Sequence, residues 1–303
     1  MKTEFLSQRV AGEAEAAAEM EVARTPATAD LPVLTIEPLR GWIGINWKEI
    51  WRYREVLYFL TWRDVKIRYK QTILGASWAF IQPFLTMVVF TIFFGHLGGL
   101  GKKTGGIPYP IYVYAGLLPW TFFANSITAS GNSLVRDSNL ITKVYLPRLI
   151  IPLAAVGAGL VDLGVAFIVL FGMMAFYHTS LSWQLVLMPL FVLNVILIAT
   201  GVGSVLSSLT ATYHDFRYVV PFMVQIWMFI TPVIYPPTIV PAKWRWLLFI
   251  NPMTGLIEGF RDCFLAHSLD WPQIGISMAV GLVLFLGGLA NFRIMEKRLA
   301  DIT

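Results

Sequence analysis

Six stretches of this chain are apolar over lengths close to the thickness of a bilayer, and that one feature removes most fold classes. A membrane helix needs about 20 mostly apolar residues. Residues 76–97, 111–130, 149–177, 183–209 and 219–235 meet the demand, the last with some extension, and 274–292 is slightly short but nearly free of polar side chains. In lipid every backbone N–H and C=O must be satisfied within its own segment, which helices achieve. The pattern predicts an all-α polytopic membrane protein with six transmembrane helices. Composition agrees: 56% of residues are hydrophobic and 14% charged, where soluble domains carry about 25% charged residues. The 21 Phe, 11 Trp and 11 Tyr supply rings for the membrane interfaces. A soluble enzyme and a disordered scaffold are excluded. So is a disulfide-stapled secreted domain, because Cys263 is the only cysteine and its apolar flanks mark it as a packing residue.

Between the fifth and sixth runs lies an irregular stretch, residues 236–265. It holds two short apolar segments, 244–250 and 253–265, joined at Asn251-Pro252. Neither can span, and short segments at membrane depth are tolerated only against protein or a water cavity. A re-entrant helical hairpin is expected here, with an interfacial loop as the alternative. Orientation follows from Lys and Arg. With the N-terminus inside, the cytoplasmic segments hold eleven basic residues up to Lys70, then Arg136, Lys143, Arg148, Arg217, Arg293, Lys297 and Arg298. The outer segments hold only Lys102, Lys103, Lys243, Arg245 and Arg261. Both termini are therefore expected in the cytoplasm. A basic face toward the anionic leaflet accounts for the net charge of +5 without nucleic acid.

Residues 1–40 are poor in aromatics and rich in Ala and Glu, and Pro26, Pro32 and Pro38 interrupt any helix begun at 13–19. They read as a disordered cytoplasmic tail, with no apolar h-region of a signal peptide after Lys2. Residues 41–73 contain an amphipathic interfacial helix. Ile50, Tyr53, Leu57, Leu60 and Ile67 form its apolar stripe, and Trp47, Trp51 and Trp62 suit the headgroup level. Its cationic end, Arg63, Arg68 and Lys70, is a candidate entrance for an anionic lipid headgroup, since guanidinium and ammonium groups fit phosphate oxygens. Leu74-Gly75 then turns the chain into the membrane domain, residues 74–303. A simple membrane anchor is the competing reading of this helix.

Catalytic and nucleotide motifs are absent. Gly101-Lys102-Lys103-Thr104 lacks the upstream Gly spacing of a Walker A loop and falls in an outer segment. There is no Gly-x-Ser-x-Gly, His-Glu-x-x-His or Cys-x-x-Cys, and His96, His178, His214 and His267 are scattered, so neither metal site nor catalytic residue is expected. Three ionisable residues fall at membrane depth. Asp162 stands about 20 Å along the third span at ~1.5 Å per residue, a functional candidate by position or a helix-to-helix hydrogen-bonding group. Glu258 and Arg261 are three apart, the spacing of a same-face pair. One carboxylate without a relay is a poor basis for proton coupling. Energy for transport would then come from a separate polypeptide docked on the cytoplasmic side.

Three stretches carry a resemblance. The run Leu60-Thr-Trp-Arg-Asp-Val-Lys-Ile-Arg-Tyr-Lys-Gln-Thr-Ile-Leu-Gly-Ala-Ser-Trp-Ala-Phe-Ile-Gln-Pro83 is the most specific. Asn139-Leu-Ile-Thr-Lys-Val-Tyr-Leu-Pro-Arg148 and Asn251-Pro-Met-Thr-Gly-Leu-Ile-Glu-Gly-Phe-Arg261 agree with it. Together they resemble the permease subunits of ABC transporters that export O-antigen, capsule or teichoic acid chains, over roughly residues 36–297. The resemblance implies a homodimer in the bacterial inner membrane, bound to two copies of a separate ATPase that holds ATP and Mg, with no cofactor in this chain. It implies that residues 135–148, with Arg136, Lys143 and Arg148, meet the ATPase. It also implies a lipid-linked polysaccharide as the cargo and a path between the two permeases.

Aromatic faces suit the apolar faces of pyranose rings without fixing hydrogen-bond geometry, which a sliding polymer needs. Trp78, Phe84, Tyr112, Trp120, Phe222, Trp227 and Tyr235 are the candidate channel aromatics. The sequence thus predicts a transport subunit and no enzyme. The alternatives are an exporter of a drug or small lipid with the same architecture, a proton-coupled carrier using Asp162, or a membrane-embedded transferase, for which no carboxylate/His constellation is found.

Overall fold

The computed structural model describes residues 47–70, 77–144, 146–179, 182–265 and 268–300. The expected N-terminal tail and the Leu74-Gly75 turn lie outside the described residues. No strand occurs among those described. Two helices, α1 (Trp47–Arg52) and α2 (Arg54–Lys70), precede the bundle. Helix α3 (Ser77–Phe90) continues as a π-helical segment, Thr91–Leu97. Then come α4 (Tyr109–Arg136), the short α5 (Ser138–Lys143), α6 (Ile150–Phe176), α7 (Met188–Thr212) and α8 (Phe216–Ile230). Two short helices, α9 (Arg245–Ile250) and α10 (Pro252–Leu265), lead to α11 (Trp271–Ala300).

Among the described residues four helices are both long and apolar enough to cross a membrane: Ser77–Leu97, Ile150–Phe176, Trp183–Thr212 and Trp271–Glu296. The two remaining runs differ for separate physical reasons. Helix α4 has 28 residues, ample length, but its second half carries Asn125, Ser126, Thr128, Ser130, Asn132 and Ser133. Helix α8 stops after 15 residues. Thr231 precedes Pro232 and takes an extended conformation at φ −85, ψ 139, because a proline ring clashes with helical backbone at the residue before it. The chain then runs irregularly to Pro236.

Helix α4 is the axis of the bundle and packs against α6, α7, α10 and α3. Its polar side chains are small, so neighbours come close. Ser133 Oγ lies 3.4 Å from Ser207 Oγ of α7, and a Cβ at Gly203 would stand 2.6 Å from Ser130 Oγ. On its other side α7 meets α11 through glycine: a Cβ at Gly288 would run into the Gly201 carbonyl. Close approach of this kind gives dispersion contact between helices where lipid supplies no hydrophobic drive. The break at Asn251-Pro252 is present as expected, and α10 is a core element, with Met253, Ile257, Phe260, Cys263 and Phe264 fully buried. Cys263 is thus a packing residue.

The amphipathic stripe of α2 holds only in part. Leu60 is buried with Leu134, Leu146, Ile150, Ile151 and Phe292, and Tyr53 and Leu57 pack against this cluster. Ile67 is exposed, as are Trp51, Tyr58, Phe59 and Trp62. The inward face at the second half of the helix is taken by Asp64 and Val65, because Asp64 finds arginine partners there.

Gly288 and Gly287 differ in one respect, since Gly287 has open space where its Cβ would be. Gly288→Leu should cost roughly 3 kcal/mol or more of stability through overpacking, while Gly287→Leu stays near neutral. Thermal melting of the two purified variants in detergent checks this, and equal melting would show that α7 and α11 do not touch here.

Candidate functional site

At one end of the bundle, α2 meets the α4–α5 junction through a closed ring of four charges. Arg63 donates to Asp64 Oδ1 at 2.9 Å and to Asp137 Oδ2 at 2.9 Å. Arg136 donates to Asp64 Oδ2 at 2.7 Å and to Asp137 Oδ2 at 3.0 Å. The Asp64 and Asp137 side chains are 5% and 10% exposed, the two arginines 35% and 46%. The carboxylates are the desolvated members, and each is matched by two guanidinium groups. Burial works against the charge of Arg63, yet its bonds to Asp137 and Asp64 outweigh that and raise its pKa above the ordinary value. Arg63 and Arg136 were expected at a lipid entrance and at an ATPase contact. The structure brings them into one ring.

A second set of groups surrounds Asp162 on α6. Arg68 Nη1 donates to one carboxylate oxygen and Tyr69 Oη to the other. The residue expected deep in a span is therefore held by the residue expected at the entrance. Such a pair meets the demand that an ionisable group in lipid find a partner. Both line a cavity of about 450 Å³ between α2, α3, α4 and α6, with Trp78, Gln82, Thr121, Asn125, Thr128 and Asn132. That is within the range of small-molecule sites, about 300–1,000 Å³. Asn132 Nδ2 donates to the Thr128 carbonyl at 2.9 Å, while its buried Oδ1 has no partner among the described residues. Further along the same helices a second cavity of about 580 Å³ is lined by Phe80, Phe84, Met87, Ile92, Met173 and Phe176.

Arg261 is 1% exposed and acts as a clamp. Its Nε donates to the Tyr112 carbonyl at 3.1 Å. Nη1 reaches Tyr112 Oη at 2.9 Å, the Pro232 carbonyl at 2.8 Å and Glu258 Oε1 at 2.5 Å. Nη2 donates to the Val233 carbonyl. The guanidinium also sits 3.9 Å from the centre of the Tyr112 ring, a cation–π contact. These bonds satisfy the backbone carbonyls freed where α8 ends, and they tie α10 to the start of α4. Gly116 makes room, since a Cβ there would meet the guanidinium.

The candidate channel aromatics are not brought to one surface. Trp78 and Phe84 line the two cavities. Tyr112 lies under Arg261. Trp120 is buried against Trp227, with ring centres 6.4 Å apart, and Phe123 stacks edge-on to Trp227 at 5.1 Å. Trp227 Nε1 donates to Asn251 Oδ1 at 3.1 Å, joining α8 to the α9–α10 junction. Phe222 is exposed, and Tyr235 Oη donates back to the carbonyls of Phe229 and Ile230 at 3.2 and 3.1 Å. Lys70 and Lys143 are exposed and Arg148 half-buried; Leu74 and Gly75 lie outside the described residues. Sequence reasoning missed Asp64, Asp137, Tyr69 and the amides of the first cavity. The dipeptide Arg-Asp, standing at 63–64 and again at 136–137, was the available signal for the ring.

Residues 55–265 match the family described as ABC-2 type transporter. The chain belongs to this family. The match runs from the first turn of α2 to the end of α10, so ring, cavities and clamp all fall within the ABC-2 region. The O-antigen export system permease protein RfbA of Klebsiella pneumoniae is 29% identical over 254 residues, covering 82% of this chain and 95% of that protein. Its namesake in Myxococcus xanthus is 29% identical over 260 residues, covering 84% and 97%. The polysialic acid transport protein KpsM of Escherichia coli is 21% identical over 247 residues, covering 78% and 91%.

In this ABC-2 chain the ring should couple its members. Asp64→Asn should lower stability by about 1.5–3 kcal/mol, the range for bonds to charged groups. Combining it with Arg136→Gln should cost less than the sum of the single changes. Melting of the wild type, both single variants and the double variant measures the coupling; strict additivity would mean the contact contributes nothing.

Proposed function

We propose that this chain is the permease subunit of a polysaccharide exporter, driven by ATP hydrolysis in a separate subunit and carrying a lipid-linked, O-antigen-like polymer across the bacterial inner membrane. The observation that carries the reading is similarity to O-antigen export permeases across nearly their whole length, 95% of one and 97% of the other. The polar and aromatic lining beside Arg68 and Trp78 is compatible with a sugar-bearing cargo. The full attachment of Asp162 to Arg68 and Tyr69 gives a structural reason for that carboxylate, which weakens the case for a proton-coupled carrier.

In this reading α4 and α8 complete six spans. Helix α4 tolerates its polar face because other helices cover it. Helix α8 gains length from the irregular residues 231–236, where Arg261 satisfies the carbonyls of Pro232 and Val233 and Tyr109 that of Ile234. Helices α9 and α10 form the re-entrant hairpin on the outer side, and both termini are cytoplasmic. A second copy covers the exposed stripe of α8, Tyr218, Phe222, Met223, Ile226, Phe229 and Ile230. Two ATPase subunits dock on residues 135–148, where α5 presents the exposed Lys143, with ATP and Mg held on the ATPase side.

Two measurements test this. An ATP-hydrolysing subunit should co-purify with the chain and crosslink from Lys143; export of polysaccharide by the chain with neither nucleotide nor second subunit would refute the assignment. Single cysteines at 102 and 143, in a Cys263→Ser background, should react with impermeant reagents from opposite faces of the membrane. Labelling of both from one face would overturn the six-span arrangement.

A further inference from the structure

The two cavities share their walls. Along α3 the polar cavity takes Trp78 to Pro83 and the apolar one Phe80 to Ile92. Along α6 the polar cavity ends at Ala166, and the apolar one begins at Val169, one helical turn on. Helix α4 runs antiparallel between them, with Asn125 and Asn132 at the polar end and Pro110 at the apolar end. The two spaces therefore lie in line along one groove between α3 and α6. The groove shifts from a mixed lining, in which amides, hydroxyls and an Arg–Asp pair stand among Leu118, Phe122 and Leu163, to one of Phe, Met, Val and Ile.

We propose that this groove, within a single subunit, seats one amphiphile lengthwise. Its sugar-phosphate head lies beside Arg68, Asn125 and Asn132, and its hydrocarbon chain lies against Phe84, Met173 and Phe176. The proposal rests on the exporter reading and adds to it a defined place for the cargo's lipid anchor. The head chemistry follows from the lining. Asn125, Asn132 and Gln82 offer both donors and acceptors, which hydroxyl groups require. Trp78, 49% exposed, offers a flat apolar face to a sugar ring. The guanidinium of Arg68 carries five N–H donors, and Nη1 is the nitrogen bonded to Asp162. The fork can hold the carboxylate and a phosphate oxygen together, so Asp162 orients Arg68 toward the cavity without having to be displaced. The tail end is continuous with the exposed flank of α3, where Leu85, Val89 and Ile92 are open to the surroundings. A lipid can therefore enter sideways from the bilayer with its head already at the level of α2.

Gly172 supplies the test, because it lines the apolar cavity and nothing stands within 4 Å of where its Cβ would be. Gly172→Phe adds a ring to the wall of the tail seat at a position where the new Cβ meets nothing. Asn125, exposed in the polar cavity, is replaced by Leu. The probe is farnesyl diphosphate N-acetylglucosamine with a diazirine at the chain end, applied to the purified full chain in phosphatidylethanolamine/phosphatidylglycerol nanodiscs. Photolabel is mapped by mass spectrometry, and diazirine-farnesol serves as a head-free control. Label from the sugar probe should concentrate on residues 169–177. It should fall roughly tenfold in Gly172→Phe, the loss expected for displacing about two methylenes' worth of burial. Asn125→Leu should weaken labelling by the sugar probe and leave labelling by farnesol unchanged.

The groove assignment is overturned if label spreads evenly over the lipid-facing helices, or if Gly172→Phe labels like wild type while melting like it. Gly172→Leu replaces Gly172→Phe if the larger side chain prevents folding. Equal competition by unlabelled phosphatidylglycerol and by the unlabelled sugar lipid would also overturn it, since that marks a bulk-lipid crevice. None of these failures touches the exporter reading, which is scored by surface polysaccharide in cells lacking the gene. A chain that binds the probe as expected and restores no surface polysaccharide breaks the exporter reading and leaves the groove standing.

Discussion

Helix α4 carries a row of hydroxyl and amide side chains that hydrocarbon cannot solvate, and the rest of the bundle is arranged to cover it. An unpaired polar group in an apolar medium costs several kcal/mol (about 2–7 by reference state), so Ser126, Ser130 and Ser133 must face protein. They do, and all three are buried. Helices α6 and α7 pack directly on α4, and α10 closes on its first half. The small side chains let α7 approach to hydroxyl contact at Ser133, whose Oγ donates to the Ser130 carbonyl at 2.6 Å and lies 3.4 Å from Ser207 Oγ; the hydroxyls of Ser126 and Ser130 have no hydrogen-bond partner among the described residues. Gly201 and Gly288 then extend the close packing outward to α11.

Charge follows the same rule. Among the described residues Arg63 and Arg136 pair with the desolvated Asp64 and Asp137, Arg68 with Asp162, and the buried Arg261 with Glu258. These pairs differ in what they join. The ring fixes α2 to the loop where the ATPase is proposed to dock, so a push on α5 reaches α2 through direct charge contacts. The Arg68–Asp162 pair fixes the end of α2 to the wall of the polar cavity. Arg261 fixes the hairpin to the start of α4 and to the unwound end of α8. The chain from docking loop to cavity thus runs through one element, α2, held at both ends by arginine.

That arrangement has a functional consequence. In the proposed exporter a movement of residues 135–148 shifts Asp137 and Arg136, hence Arg63 and Asp64, hence Arg68 five residues further along the same helix. The cavity wall would move with it. Helices α9 and α10 are held separately, by Trp227 on Asn251 and by Arg261 on Tyr112, Pro232 and Val233. The two ends of the bundle are therefore fastened by different contacts to the same central helix.

Much of the fold was legible in the sequence because the bilayer acts on each segment locally. Apolar runs fixed α3, α6, α7 and α11, and Asn251-Pro252 marked the break between α9 and α10. Cys263 read as packing, and Glu258 and Arg261 could be seen as a pair from their spacing on one helix. Hydropathy could not tell that α4 is covered by protein on its polar side, since a helix buried among helices and one facing water present the same composition. Nor could it foresee that Pro232 would end helix α8 at Ile230. The long-range partners of the arginines belong to the tertiary structure. Arg63 and Asp137 are 74 residues apart, Arg68 and Asp162 94, Arg261 and Tyr112 149. Sequence position places Glu258 beside Arg261 on one helix; only the packing of α2 on α6 and on the α4–α5 junction gives Arg68 and Arg63 their distant carboxylates, and only the packing of α10 on α4 gives Arg261 the carbonyl and ring of Tyr112.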